Sequence, residues 1–271
     1  KAIMAFDEVI SSQGMQAYGL FQKALAIASV GDFEGAEAIL ALSPESGVRH
    51  NRRSAIALAQ ILSQLERNED AIVLIDTVFG DQLDPRLEKM RANLSEGVTI
   101  PFDTVRNATD GMAEVYFLIG GALQGETPDG YTLLYMRAAQ SLRPADTEIL
   151  LSVAGLLDNV GRYSLAQAAY AGVSADDPAY VQAELGRADA LNKSGNVDAA
   201  IEVLQTLNRN FPELPQSFAT LGDTLRRIER NQEANDAYHK ALALIPENSP
   251  ALWLIYYNRA ITYHQMDQWP E

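Results

Sequence analysis

The residue types that most often perform chemistry are scarce in this chain and widely spaced. It has 271 residues, with three histidines, His50, His239 and His264, and no cysteine. Because the histidines lie far apart, no shared metal site is expected, and the lack of cysteine excludes disulfides and cysteine-based metal sites. The sequence also has no glycine-rich phosphate loop, no nucleophile elbow and no His-Glu-x-x-His pattern. We therefore predict no catalytic residues, no metal site and no cofactor.

Two kinds of charged cluster have simpler interpretations than catalysis. The adjacent carboxylates Asp176-Asp177 and Glu69-Asp70 lie in predicted turns, where acidic residues cap helix starts and face water. The basic run at 49–53 could contact an acidic partner, or it could be a turn followed by a solvated helix start. Both interpretations of this run remain open from the sequence.

The proline spacing shows how the chain is organised. Pro144, Pro178, Pro212 and Pro246 follow one another at intervals of 34 residues. A fixed period of this size is the signature of stacked helical repeats. When each proline is numbered position 32 of its repeat, four contiguous repeats occupy residues 113–146, 147–180, 181–214 and 215–248.

Each repeat is predicted to form two antiparallel helices joined by a tight turn. Positions 4, 7, 8 and 11 share one face of a first helix, and positions 20, 24 and 27 share one face of a second. Small residues such as Gly222 at position 8 and Ala234 at position 20 allow close backbone approach, and large residues such as Tyr238 at position 24 fill the space around them. Turn residues such as Gly161 separate the helices, and the proline ends the second one. The predicted fold class is an all-α solenoid.

These positions resemble the tetratricopeptide repeat. The family motif has Trp, Leu, Gly and Tyr at positions 4, 7, 8 and 11, then Ala, Phe, Ala and Pro at positions 20, 24, 27 and 32. The best match in this chain is Phe218, Leu221, Gly222, Ala234, Tyr238, Ala241 and Pro246. Glu184 and Arg187 depart from the motif at positions 4 and 7 of repeat 181–214. The resemblance implies a right-handed superhelix and a non-catalytic scaffold that binds another protein or a peptide segment.

The register extends toward both ends with weaker residues. Degenerate repeats are predicted over 17–50 and 52–85, and residues 86–112 break the period with one short helix and an irregular stretch. We expect an N-terminal helical region at 1–95, a connector at 96–112 and a regular array at 113–271. Alternatively, the connector is a hinge, or a segment whose Ile100, Phe102 and Val105 fold against the repeats.

Half-repeats are predicted at 1–12 and 253–271, so the chain begins and ends midway through a repeat unit. This arrangement is typical of a fragment of a longer protein. The apolar faces of the half-repeats, with Phe6 and Val9 at one end and Tyr256 and Tyr263 at the other, should be left uncovered. We therefore expect possible self-association through these faces.

The family resemblance also implies a binding groove. In this family the first helices line a concave groove, and positions 2, 5, 6, 9, 12 and 13 face it; we call these positions the inner face. Asparagine suits a peptide backbone, arginine can reach a carboxylate, and aspartate can meet a basic side chain. The candidate binding residues are Asp158, Asn159, Asp189, Asn192, Lys193, Asp223, Arg226, Arg227, Tyr257, Asn258 and His264.

Two details limit what this groove is expected to bind. Asp223 and Arg226 are three residues apart, so they could instead pair only with each other. Ala219 and Asp223 stand where some family members carry a lysine and an asparagine that clamp a C-terminal carboxylate. That clamp is therefore not expected here.

Composition restricts the partners and the compartment. The net charge of −15 argues against nucleic acid, because phosphates require a basic face. No apolar run approaches the roughly 20 residues of a membrane span. Short phrases, such as Ala113-Glu-Val and the closing Trp-Pro-Glu, are similar to multi-repeat tetratricopeptide proteins of α-proteobacteria, many of them exported or lipid-anchored. This similarity favours the cell envelope, whereas the lack of cysteine also fits the cytoplasm. The alternative function is an accessory region of a larger enzyme or envelope complex whose catalytic part lies outside this fragment.

Overall fold

A computed structural model describes residues 2–41, 51–80, 83–246 and 248–267. His50 and the closing residues 268–271 lie outside this part of the chain. The described residues contain one isolated β-bridge, between Gln124 and Thr127, and no helix long and apolar enough to cross a membrane. They form fifteen α-helices: α1 (Ala2–Ile10), α2 (Gln16–Ala28), α3 (Phe33–Leu40), α4 (Arg52–Gln64), α5 (Asn68–Phe79), α6 (Pro85–Ser95), α7 (Ala108–Leu123), α8 (Asp129–Leu142), α9 (Thr147–Asn159), α10 (Tyr163–Tyr170), α11 (Tyr180–Lys193), α12 (Val197–Asn210), α13 (Pro215–Arg227), α14 (Asn231–Leu244) and α15 (Leu252–Gln265).

The helices follow the predicted repeat register. Consecutive helices pack against each other, among them α7 with α8, α11 with α12 and α13 with α14. The predicted all-α repeat fold is therefore confirmed. One boundary differs, because α10 ends at Tyr170, three residues before Val173 at position 27. Val173 is nevertheless buried, so it packs from the turn that follows the helix.

The turn inside most repeats has a left-handed residue at position 15, whereas repeat 113–146 has its left-handed residue, Gly125, at position 13. Gly161 and Gly195 have φ angles of 72° and 83° at position 15, and Glu66, Glu229 and Asp267 occupy the same position with φ angles of 61°, 62° and 54°. A residue with a Cβ atom adopts this conformation at a cost of about 1–2 kcal/mol. The packing of the two helices therefore imposes the turn geometry even where glycine is missing.

The chain divides into two compact units, residues 1–149 and 150–271, whereas the sequence predicted a division at 96–112. In the first unit every residue of α4 from Arg53 to Ser63 is buried. Ile100 and Val105, which follow α6, belong to the same core. The stretch after α6 is therefore part of the first unit, as in the alternative in which it folds against the repeats.

A buried charged cluster anchors the start of α4. The Arg53 guanidinium is bonded through Nε to both carboxylate oxygens of Glu114 at 3.0 Å, and it also pairs with Asp146 and Glu148. It stacks 4.7 Å from the centre of the Phe117 ring. Arg53 is 8% exposed and Glu114 is 0% exposed, and burial raises the pKa of Glu114. The solvated helix start expected from the basic run is therefore wrong for Arg53, because carboxylates from distant parts of the first unit draw it inward.

The second unit shows the close approach that the small residues predicted. A Cβ atom built on Gly222 would lie 2.6 Å from Cε1 of Tyr238, which is fully buried. The aromatic ring at position 24 thus packs directly onto the backbone at position 8. At the chain ends, Val9 and Tyr256 are exposed while Phe6 and Tyr263 are half-buried. Self-association through these faces remains a prediction.

Candidate functional site

The candidate residues lie on the inner face of the second unit, where α9, α11, α13 and α15 supply successive first helices. Lys193 joins two of these helices. Its Nζ atom lies 2.5 Å from Oδ2 of Asp158 on α9 and 2.7 Å from Oδ2 of Asp189 on α11. Hydrogen bonds to these two carboxylates raise the pKa of Lys193, so the ammonium group stays charged.

Asp158 has one paired and one unpaired carboxylate oxygen at this end of the face. Its Oδ1 atom is buried and has no hydrogen-bond partner among the described residues. Two carboxylates therefore share one ammonium group, so Asp158, Asp189 and Lys193 together carry a net negative charge. This acidic end can accept a basic side chain.

An amide links the middle of the face. Asn192 Nδ2 donates to Oγ1 of Thr224 at 2.9 Å, which connects α11 to α13. The Thr224 hydroxyl in turn donates to the backbone oxygen of Thr220. Because Thr224 is buried, the bond fixes the orientation of the Asn192 amide.

Tyr238 organises the other end of the face. Its hydroxyl donates to Oδ1 of Asp223 at 2.7 Å and accepts from Nε of Arg226 at 3.4 Å. Asn258 Nδ2 on α15 also donates to Oδ1 of Asp223 at 2.9 Å. The alternative in which Asp223 and Arg226 pair only with each other is therefore wrong, because Asp223 bonds to other partners. Burial and the hydrogen bond to Asp223 raise the pKa of Tyr238.

The sequence did not predict a role for Tyr238 in this site. Tyr238 stands at position 24 of a second helix, which was assigned to core packing. The combination of a glycine at position 8 with a tyrosine at position 24 of the same repeat could have indicated it. A phenol that packs on a helix backbone extends far enough to bring its hydroxyl to the inner face.

Several candidate residues are exposed to solvent. Asn159, Lys193, Arg227 and His264 are exposed, and Tyr257 is 61% exposed. Arg227 forms no ion pair within the part of the chain that the structure describes. The basic end of the face therefore offers a guanidinium and an aromatic ring to a ligand.

The departure from the motif at Glu184 and Arg187 also has a structural explanation. Arg187 Nη2 donates to Oε2 of Glu184 at 2.7 Å, so an ion pair replaces the apolar pair expected at positions 4 and 7. The pair lines an open pocket on the outer side of α11, together with Gln167 and Thr206. Burial raises the pKa of Glu184.

No group of three or more histidine, aspartate or glutamate side chains in the described part of the chain is arranged to hold a metal ion. Of the three histidines, His239 and His264 are exposed on α14 and α15.

No curated protein matches the chain. Among solved structures, a crystal structure of the MamA protein is similar with a TM-score of 0.49 and 17% identity, covering 58% of this chain and 83% of its own. MamA 41-end from Desulfovibrio magneticus RS-1 has a TM-score of 0.45 and 19% identity, covering 60% and 94%. The family model for the tetratricopeptide repeat matches residues 160–221. This match falls on helices that keep the 34-residue register, so residues 160–221 are similar to tetratricopeptide repeats.

Proposed function

We propose that this protein is a non-catalytic scaffold and that the inner face of residues 150–271 binds an extended or helical segment of a partner protein. The observation that carries the proposal is a set of exposed side chains beside polar groups that are already fixed. Tyr257 and Arg227 are exposed, while Asn192, Asp223 and Asn258 are held by hydrogen bonds. A surface fixed in this way loses little ordering free energy on binding.

Charge supports a preferred direction for the bound segment. At one end of the face, the two negative charges of Asp158 and Asp189 outnumber the single positive charge of Lys193. At the other end, Arg226 and Arg227 outnumber Asp223, whose Oδ1 atom already accepts two hydrogen bonds. A partner segment with a basic residue toward α9 and an acidic residue toward α13 would complement both ends.

The residues with the largest expected contribution are Arg227 and Tyr257. Arginine and tyrosine are common among the residues that dominate binding free energy. Leu151 on α9 and Leu185 on α11, each at position 5 of its repeat, would add apolar contact area on the inner face. We expect Arg227→Ala and Tyr257→Ala each to weaken partner binding by about 1–3 kcal/mol.

The experiment compares three forms of the protein as bait in cross-linking and affinity capture from cells that express it. They are the wild type, the double variant Arg226→Ala, Arg227→Ala, and the outer-face variant Glu202→Ala. A partner captured by the wild type and by Glu202→Ala, but lost with the double variant, supports the proposal. Its dissociation constant is then measured for each form by calorimetry. Equal affinity for the double variant and the wild type would place the site elsewhere.

A further inference from the structure

The stretch after α6, residues 98–105, lies along the inner face of α4. Exposure alternates from residue 99 to residue 104, since Ile100 and Thr104 are buried whereas Pro101 and Asp103 are exposed. Alternation with a period of two is the mark of an extended chain that rests one side on a surface. The stretch therefore lies on the first unit in the manner of an extended peptide.

Side chains of α4 bind both backbone groups of Ile100. Ser63 Oγ accepts from the backbone N–H of Ile100 at 2.8 Å, and Gln64 Nε2 donates to the Ile100 carbonyl at 2.7 Å. Ser63 and Gln64 stand at positions 12 and 13 of their repeat. These positions belong to the inner face of the repeat.

Gln60 recognises the next part of the stretch. Its Oε1 atom accepts from the backbone N–H groups of Asp103 and Thr104, both at 3.3 Å, and from the Thr104 hydroxyl at 2.8 Å. Its Nε2 atom donates to Oδ1 of Asp103 at 2.6 Å. Gln60 stands at position 9, one helical turn before Ser63. The stretch thus runs antiparallel to α4.

Both ends of the stretch are held as well. Asn68 Nδ2 donates to the Val98 carbonyl at 3.2 Å, and Arg143 Nη1 donates to the Thr104 carbonyl at 2.7 Å. Between them, the Phe102 ring packs edge-on against Phe33 with the ring centres 6.0 Å apart. Side chains therefore satisfy backbone groups along the stretch, which is how a groove binds a peptide from another molecule.

The burial of the α4 side chains points the same way. Gln60 is 2% exposed and Ser63 is 1% exposed. A buried amide or hydroxyl is costly unless it is hydrogen-bonded, and the stretch supplies the partners of Gln60 Oε1 and donates its Ile100 N–H to Ser63 Oγ.

We propose that the inner face of α4 is a second peptide-binding site, which residues 98–105 of the same chain occupy in the structure and which a partner segment of the same chemistry enters when they leave. The ligand is an extended segment with two apolar residues separated by one position, followed by an acidic residue and a residue with a hydroxyl group. This site lies in the first unit and is independent of the site proposed in the second.

Hydrogen exchange in the unmodified chain is the first test. If the stretch can leave while α4 stays folded, the backbone amides of Ile100, Asp103 and Thr104 exchange at least about tenfold faster than those of Ala59 and Ile61 in α4. NMR resolves these amides individually. Equal rates in the two sets would mean that the stretch leaves only when the unit unfolds, and would overturn the proposal.

A labelled peptide with the sequence of residues 98–106 provides the second test. The tethered stretch competes with it at an effective concentration on the order of millimolar, so micromolar peptide should not bind the wild type. It should bind a full-length variant in which residues 99–104 are replaced by a glycine-serine linker of the same length. Adding Gln60→Ala to that variant should weaken binding about tenfold, because several hydrogen bonds are lost.

The matched control is the same peptide with serine in place of Ile100 and Phe102. The proposal fails if the folded variant does not bind the first peptide, or if it binds the control peptide equally well. Circular dichroism shows whether the variant is folded. If the variant is not folded, the proposal is tested by the hydrogen-exchange rates of the unmodified chain alone.

Discussion

Replacing Gly222 with alanine tests the helix contact on which the site of the second unit depends. The added Cβ atom would lie 2.6 Å from Cε1 and 2.7 Å from Cδ1 of Tyr238, whereas carbon atoms pack best at about 3.5–4.0 Å. The ring has little room to move, because Tyr238 is fully buried and its hydroxyl is bonded to Asp223. The strain must therefore shift either α13 or the hydrogen bonds of the inner face.

Two opposing effects set the magnitude. Overpacking of this kind costs about 1–3 kcal/mol, whereas alanine is more favourable than glycine inside a helix by up to about 1 kcal/mol. We therefore expect Gly222→Ala to lower the free energy of unfolding by about 1–2 kcal/mol. Urea unfolding followed by circular dichroism measures the difference through the shift of the transition midpoint.

Gly155→Ala is the matched control. Gly155 lies inside α9, and a Cβ atom there would have no neighbour within 4 Å. This variant gains the helix propensity without the clash, so we expect a stability equal to the wild type or up to about 1 kcal/mol higher. If Gly222→Ala proves as stable as Gly155→Ala, Tyr238 does not pack on the α13 backbone as described.

Three further predictions follow from other features. Glu229→Gly should raise the free energy of unfolding by about 0.5–1 kcal/mol in urea, because glycine adopts the left-handed turn conformation without strain; a loss would contradict the strain at position 15. Arg53→Ala should lower it by about 3–5 kcal/mol, because buried carboxylates lose their partner; a change as small as that of an exposed ion pair would contradict the buried cluster. Burial opposes ionisation of Asp146, but the charges of Arg53 and Arg143 outweigh burial and lower its pKa. The folded state therefore gains stability above the unfolded pKa of about 4 and loses it as the pH falls through the lowered pKa, so the cost of Asp146→Asn should be full near pH 7 and shrink in acid; a cost independent of pH would contradict the shift.

The repeat architecture could be predicted from the sequence because similar residue types recur at the same positions of successive repeats. Four prolines at one spacing, with small and large residues at fixed positions, determine helix pairs whose contacts are local. The left-handed turn at Glu229 could not be predicted from its residue type, because glutamate does not favour this turn conformation. Its repeat position, shared with Gly161 and Gly195, is the information that reveals it.

The contacts of the first unit could not be predicted in this way. Arg53 meets Glu114 and Glu148 across 61 and 95 residues, and no local pattern encodes such a pairing. Residues 98–105 alternate for too few positions to separate a bound extended segment from an ordinary loop. The sequence shows Gln60 only as a polar residue on a helix, and its binding to the backbone of the stretch becomes apparent only in the structure.

For the second unit, the positions of the site could be predicted but its connections could not. The register places Asp158, Asp189 and Lys193 on one face, and the structure joins them through the ammonium group of Lys193. The connection between Asp223 and Arg226 runs through Tyr238, a residue of another helix. Helix periodicity predicts only pairs of residues three or four positions apart on one helix. The Tyr238 hydroxyl comes from the second helix of the same repeat and could not be predicted in this way.

The inner faces of the two units use the same repeat positions with different chemistry. At positions 9, 12 and 13, α4 carries Gln60, Ser63 and Gln64, while α11 carries Asp189, Asn192 and Lys193. Uncharged amides and hydroxyls bind backbone groups, which every peptide has, so selectivity on α4 comes from the apolar side chains that pack beside them and from the Asp103 and Thr104 side chains that bond to Gln60. Charged groups select side chains of opposite sign, and their contribution falls with salt. Binding at the second unit should therefore weaken as ionic strength rises, whereas peptide binding on α4 should change little.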